Sequence, residues 1–430
     1  MLLEDQAKAL RETAVSLGFE FREATPDCPK ILKAIAARPI DATKFFREAL
    51  QRFMPLLDPH SSYFPPEGYR QFQEEQRNRH EGFGIAFHLR ARDYYFPLQE
   101  LRIEEVFQEV LQTTVDFGDR VVRINGDPIV GKNLTDWSQA FYEADELEIE
   151  IDRKGRWRLR PLSYTLPPAF IRRISARHGD YRYVKIRNFH PELTRFVRDH
   201  FDELEDREGL ILDLRGNPGG SVDEALDLCA WLSSVPIHVE TRGEEQSESV
   251  RRRYQLDQTY ERRAQGRFQG VPFALLADAR SASASELLAA SLRPTRAVLI
   301  GRRTFGKGIG QHTITLSEKN GLGGAMMITM FRYWVGDGFS PQAIGVAPEI
   351  EVLDTSLESR IARLRREQRP VVYEEMDLGD RVVPRVTKDE PAASLGNVQM
   401  KWACQKDSFD CELEIAMTSL YELRQQGYFE

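Results

Sequence analysis

The stretch LILDLRGNPGGS, residues 210–221, sets a short apolar run against a glycine-rich turn, and its reading decides how the chain is built. Leu210, Ile211, Leu212 and Leu214 are interrupted only by Asp213, the composition of a strand covered on both faces. Arg215-Gly216-Asn217-Pro218-Gly219-Gly220 reads as a tight turn, and the apolar spacing from Ser221 to Leu232 reads as a helix. Strand, turn and helix in that order are part of a β-α-β unit. The expected fold class is therefore α/β, with a parallel sheet and crossover helices.

Working outward, the same alternation recurs at Phe273 to Ala277, at a helix near Ser285 to Leu292, and at Ala297 to Ile300. Residues 166–355 are read as one core on that basis. Within it, Thr241 to Gly270 is densely charged and reads as a solvated excursion over the surface. Upstream, residues 79–165 change to short β segments: Gly84 to Leu89, Arg120 to Ile124, Leu147 to Asp152 and Arg156 to Leu159, with turns at Asn125-Gly126 and Lys154-Gly155. Residues 1–78 carry helical periodicity, as in Ile31, Leu32, Ile35 and Ala36, then Phe45, Phe46, Leu50, Phe53 and Met54. Residues 356–430 read as a charged extension ending in an amphipathic helix, about Glu412 to Arg424.

A length of 430 residues accommodates several domains at roughly 150 residues each. Hydrophobic residues make up 41% and aromatic residues 10%, enough to bury a core. The formal charge of −8 supplies no global basic surface, which argues against nucleic acid as a partner. No apolar run is long enough to cross a bilayer, so stable membrane insertion is not expected, and Met1 to Leu10 is charged rather than leader-like. The four cysteines lack paired zinc spacing. Cys229, in ALDLCAWL, reads as a buried small hydrophobe, while Cys404 and Cys411 are close enough to bridge in an oxidising compartment and otherwise stay reduced.

Three groups of residues could carry chemistry. Gly301 to Gly308 (GRRTFGKG) nearly spells a phosphate-binding loop, but Gly308 stands where Ser or Thr must hold magnesium, and His312 to Leu316 alternates like a strand where a helix should open. Both features argue against nucleotide hydrolysis. Asp58, His60 and Ser61 are adjacent in LDPHSSYF, and neighbours in sequence rarely face one another, so Asp58 reads as a cap or turn residue. Ser281 to Glu286 (SASASE) follows an apolar strand and opens a helix, a place that exposes a nucleophile; Ser283 with Glu286 also fits a capping box.

A nucleophilic serine needs a base, and none of the eight histidines sits in a recognisable triad context; His312 is nearest to Lys307 and carries no other signal. Lysine serves only when neutral. From about 10.4, half neutrality at pH 7 needs a downward shift of about 3 to 4 units, roughly 4 to 5 kcal/mol, within what burial supplies. Lys307 lies among glycines beside Thr304 and Phe305, and Gln311 follows four residues later on the same face, where it can hold the amine. The turn at Arg215 to Gly220 bares amide N–H groups at a helix start, suited to an anion, or is simply tight.

Taken together, LDLRGNPGG (212–220), SASASE (281–286) and TFGKG (304–308) with Gln311 resemble the core blocks of the carboxy-terminal processing (tail-specific) serine proteases, and LDPHSSYF (57–64) and GVAPEIEV (345–352) resemble further stretches of that family. The likeness spans about residues 57–352. It implies a protease core carrying an inserted β-rich PDZ domain and a helical N-terminal region. By motif, Ser283 would be the nucleophile, Lys307 the general base and Gln311 its orienting partner, with Ala284 and Gly219 or Gly220 offering oxyanion N–H groups. Gly82, Phe83, Gly84, Ile85, Ala86 and Phe87 resemble the carboxylate-binding loop and strand of a PDZ domain, to which a peptide C-terminus adds as an extra strand. The resemblance implies protein or peptide substrates with accessible C-termini, no metal and no cofactor, and an exported, periplasmic-type location, with the cytoplasm as alternative. It leaves open a homo-oligomer, whether the PDZ module activates or inhibits, and a non-catalytic peptide-binding scaffold of the same fold. Arg280 stands where the family has Gly, and Arg90 to Gln112 departs from the PDZ pattern.

Overall fold

The computed structural model describes residues 42–353, except 78, 90–92, 94–95, 135, 138–143, 178, 201–208, 244–245, 267–270, 319–320 and 337, together with 363, 400–403 and 410–427. The periodicity at Ile31 to Ala36, the charged start at Met1 to Leu10, Cys28 and Cys404 lie outside these residues. From the N-terminal side come helix α1 (Ala42–Leu57), strand β1 (Ser62–Phe64) and helix α2 (Pro66–Gln76). Phe46, Leu50 and Met54, spaced at one helical turn, bury the inner face of α1.

The β-rich module follows: β2 (Arg79–Gly82), β3 (Ile85–His88), β4 (Leu101–Val106), the short helix α3 (Glu109–Gln112), β5 (Arg120–Ile124), β6 (Asp127–Pro128), β7 (Leu147–Ile151), β8 (Gly155–Leu159) and β9 (Leu162–Thr165). Strands β3-β4-β5-β7-β8 form one sheet in that order, with β6 on β5, and β2 pairs with β9. Leu147, Ile149 and Ile151 alternate with half-buried glutamates along β7, so one face of this sheet closes a small core with Leu98, Ile103 and Leu111.

The larger unit contains β10 (Ala169–Ala176), β11 (Gly179–Ile186), α4 (Leu193–Asp199), β12 (Leu210–Asp213), α5 (Val222–Leu232), β13 (Ile237–Arg242), α6 (Glu248–Tyr254), β14 (Gln258–Arg262), β15 (Phe273–Ala277), α7 (Ala284–Leu292), β16 (Val298–Gly301), β17 (Ile309–Thr315), β18 (Ala325–Val335), β19 (Ile350–Leu353), β20 (Met400–Ala403) and α8 (Cys411–Gln425). Its seven-stranded sheet runs β10-β11-β12-β15-β16-β19-β20, and every pairing beyond β10 with β11 is parallel. Leu210 and Leu212 face the core under α5 and α7, whereas Ile211 faces the core under α8. Both faces are covered, which is why the strand is apolar without alternation.

A second, antiparallel sheet runs β1-β18-β13-β14, with β17 also on β18. It corrects the reading of Thr241 to Gly270 as a mere excursion. That stretch holds α6 and β14, and Val250 and Leu256 are buried against Phe46 and Met54, because the charges occupy only the outward side. The C-terminal residues are also more than an extension: β20 joins the parallel sheet and Leu413, Ile415, Ala416 and Leu420 of α8 fill its lower core.

Candidate active site

Strand β15 is followed by Asp278, whose carboxylate ties together the turn there. Its Oδ1 accepts from Gly216 N at 2.9 Å and from Arg280 N at 3.0 Å, and Oδ2 pairs with the Arg280 guanidinium at 3.1 Å. Arg280 thus lies over Gly216, close enough to contact any Cβ there. The three serines of the cluster divide their work. Ser281 donates to Leu214 O at 2.7 Å and Ser285 to Asn217 O at 3.0 Å, both fully buried, so the outer two bind the turn to the glycine-rich loop. The middle one, Ser283, stays partly exposed at the N-cap of α7, with φ +54° and ψ −115°. A non-glycine residue held there carries strain, as an elbow presenting a side chain does.

Glu286, fully buried in the first turn of α7, joins the serine segment to the lysine segment. Its carboxylate accepts from Ser283 N at 3.0 Å, Gly306 N at 2.7 Å and Lys307 N at 2.7 Å, and from the Thr304 hydroxyl. Burial pushes its pKa up to about 7, while those donors hold it from rising further. From the opposite side, the Tyr333 hydroxyl lies 2.9 Å from Ser283 O and 3.0 Å from Lys307 O. Two clamps therefore hold the backbones of residues 283 and 307 together. Half-buried Lys307 points its Nζ to Gln311 Oε1 at 2.9 Å, and Gln311 Nε2 lies 3.2 Å from Thr329 Oγ1.

Gly219 and Gly220 adopt positive φ values of +108° and +139°, open to glycine alone at no strain. A Cβ on Gly219 would sit 2.9 Å from the Ser283 Cβ and 3.0 Å from Ala284 N, and one on Gly220 would sit 2.5 Å from Phe189 O. The loop thus passes directly beside the serine. Of the two glycine amides, Gly219 N donates to Asn217 Oδ1 at 2.8 Å, Asn217 being anchored through Nδ2 to Ile186 O at 2.9 Å. The Gly219 amide is thereby engaged within the loop.

The residues at 301–308 lead from β16 into β17, so the near phosphate loop connects two strands, and Gly308 is glycine because its Cβ would lie 2.6 Å from Gln342 N. The His312 ring packs between Tyr254 and Phe331, and burial lowers its pKa. In the β-rich module, Phe83 is buried, Gly84 has φ +61°, and Ile85, Ala86 and Phe87 lie on β3 after the β2 end residue Gly82.

Sequence reasoning missed several partners. Asp58 is a turn residue, its Oδ1 accepting from His60 N at 2.8 Å and Ser61 N at 2.9 Å, but it also accepts from Thr329 Oγ1 at 2.9 Å. Thr329 and Tyr333 both lie on β18. Nothing local in the sequence marks either. Nor does it mark the buried ion cluster behind the glycine-rich loop: Arg215 pairs with Asp213 at 2.6 Å, Asp410 at 2.7 Å and Glu412 at 2.6 Å, and Tyr183 donates to Asp213 at 2.6 Å.

Residues 180–352 match peptidase family S41. The core of the chain therefore carries a domain of this family. The chain is 28% identical over 331 residues to the carboxy-terminal-processing protease of Bartonella bacilliformis, covering 73% of this chain and 70% of that protein. It is 27% identical over 334 residues to the tail-specific protease of Haemophilus influenzae, covering 71% of this chain and 46% of that one. The chloroplastic C-terminal processing peptidase of Tetradesmus obliquus is 28% identical over 276 residues, covering 56% and 54% of the two chains. Among solved structures, the photosystem II D1 C-terminal processing protease has a TM-score of 0.49 at 21% identity, over 82% of this chain and 93% of that one. The family S41 match makes the core a serine-type peptidase domain, of the kind that acts on protein substrates. Among the described residues, no helix is long and apolar enough to cross a membrane.

Proposed function

We propose that the chain is an endopeptidase with a Ser283–Lys307 dyad that cleaves proteins near their C-termini through an acyl-enzyme. The observation that carries this reading is the double clamp, Glu286 on one side and Tyr333 on the other, which holds the segments of residues 283 and 307 together. Neutral Lys307 takes the Ser283 hydroxyl proton as Oγ attacks the scissile carbonyl carbon, and returns it to the departing amine when the C–N bond breaks. Water, deprotonated by the same amine, then attacks the ester, and the serine leaves with its proton restored. A neutral amine has two N–H groups and one lone pair; with one N–H on Gln311 Oε1, the lone pair would turn toward the serine. The Ala284 N–H at the start of α7, together with that of Gly220, would meet the oxyanion, Gly219 N being engaged by Asn217.

Residues 79–165 would form a PDZ-type module between a helical N-terminal region and the core at 166–355. Support comes from β3, which ends the order of its sheet and so can accept an added strand after the Gly82-Phe83-Gly84 turn. Peptide substrates with free C-termini are the partners this implies. An exported location fits Cys411, which is disulfide-bonded. Cleavage of an unstructured protein tests the reading: Ser283→Ala and Lys307→Ala should each abolish it, undiminished cleavage by either would rule out the dyad, and peptide binding without turnover by wild type would leave only a peptide-holding scaffold. Amidation of the substrate's C-terminus should raise KM if the module reads the carboxylate.

A further inference from the structure

The turn at residues 58–61 belongs to the N-terminal segment, yet it docks on Thr329 of β18. Thr329 N donates to Ser61 Oγ at 3.1 Å, Ser61 Oγ donates to Asp58 Oδ2, and Thr329 Oγ1 donates to Asp58 Oδ1 at 2.9 Å. Strand β1 delivers this turn, its Ser62 pairing with Met327. Thr329 is also the cross-strand partner of Gln311, at a register shift that falls between Gly310 and Gln311. The hydrogen bonds therefore run from Asp58 through Thr329 and Gln311 to Lys307 Nζ.

The donor inventory gives this chain one direction. Asp58 Oδ1 already accepts two backbone N–H groups, so it offers Thr329 only an acceptor, and the hydroxyl proton must point to Asp58. The hydroxyl lone pair then faces Gln311, which must turn its NH2 toward Thr329. The amide oxygen is left for Lys307. Remove the acceptor at Asp58 and the hydroxyl can donate toward Gln311 instead. The amide would then present N–H groups to the lysine, and the amine lone pair would bind the amide rather than the serine proton.

We infer that Asp58 and Thr329 are positioning residues, which set the amide orientation of Gln311 and through it the direction of the Lys307 lone pair. The inference rests on the dyad reading proposed above. It is tested with the full chain on a disordered protein substrate, with rates taken per folded molecule. Thr329→Val should lower kcat about tenfold with KM little changed and shift the acid limb of the rate profile. Thr329→Ser should recover most of the rate. Asp58→Asn, which keeps the acceptor pinned by two N–H groups, should retain most activity, whereas Asp58→Ala should fall with Thr329→Val, the double variant being no worse than either. In a Gln311→Ala background Thr329→Val should have no further effect. An unchanged kcat in Thr329→Val, a full additional loss in the Gln311→Ala background, or no recovery with serine overturns the inference while loss of activity in Ser283→Ala leaves the dyad standing. Activity surviving in Ser283→Ala sinks the dyad reading and this inference with it.

Discussion

At the scale of single residues, Glu286 does more than the capping-box pattern indicates. The motif S-x-x-E accounts for its bond to Ser283 N, but not for the bonds to Gly306 N and Lys307 N. Those came from a loop about twenty residues on, and no local rule places a loop against a helix N-terminus. The carboxyl's raised pKa has a definite sign. Folded, it holds a proton up to about 7, against an ordinary value of 4.5, so its contribution to stability is complete below about 4.5 and is lost as pH rises through 7. The groups facing it are the Ser283, Gly306 and Lys307 amides and the Thr304 hydroxyl, all of which prefer the ionised form as acceptor. Stability and activity should therefore run in opposite directions between pH 5 and 8. Melting scans of wild type and Glu286→Gln check this: relative to the variant, wild type should lose on the order of 3 kcal/mol as pH rises across that range. A constant difference would contradict it. The variant should also lose most activity, because its NH2 must face one of the amide donors.

At the scale of elements, the parts that were legible are those in which one physical requirement acts along the chain. The strands at Leu210 to Asp213 and Phe273 to Ala277 are apolar because both faces are covered, and helix α7 begins one residue before the position its spacing suggests. The glycine-lysine segment was separable from a phosphate loop because strand alternation follows it, and β17 is that strand. The antiparallel sheet was less legible, since its strands β1, β13, β14, β17 and β18 come from well-separated stretches and its charged outer face conceals the pattern. Strand β18 is nonetheless the element that brings Thr329 and Tyr333 to the lysine. Tyr333→Phe isolates one clamp without touching the packing of the ring. We expect a fall in kcat of several-fold, on the order of 1 kcal/mol for one lost hydrogen bond, with the melting temperature changed by a few degrees at most. A rate equal to wild type would leave Glu286 as the sole clamp.

At the scale of the whole molecule, three distant segments meet on one ion cluster, and this is why composition and motif could not foretell it. Each charge reads locally as solvated; only the assembled fold buries it. The β-rich module sends in His88 and Glu104, the C-terminal helix Asp410 and Glu412, and the core Asp213, Arg215, Tyr183 and Lys185. Asp410 is the joint, since it faces both Arg215, which opens the loop beside Ser283, and His88 at the end of the strand proposed to take peptide. Burial disfavours the charged imidazole, but Asp410 at 3.1 Å and Glu104 at 3.8 Å outweigh burial, with Lys185 acting in the opposite sense and the Phe117 ring covering one edge, so the pKa is raised. A histidine raised above its ordinary 6.5 contributes stability that is present in full below that value and is lost as pH climbs through the elevated one. Deprotonation would leave Asp410 and Glu104 buried with one cation fewer, and loosen the joint between module and core. His88→Gln should accordingly be less stable than wild type at pH 6 and approach it at alkaline pH, measured by urea unfolding. The KM advantage of a free over an amidated substrate C-terminus should shrink in the same variant at pH 6. If the stability gap instead stays constant with pH, His88 is neutral in the fold and the module is tied to the core through the Lys185–Glu104 pair.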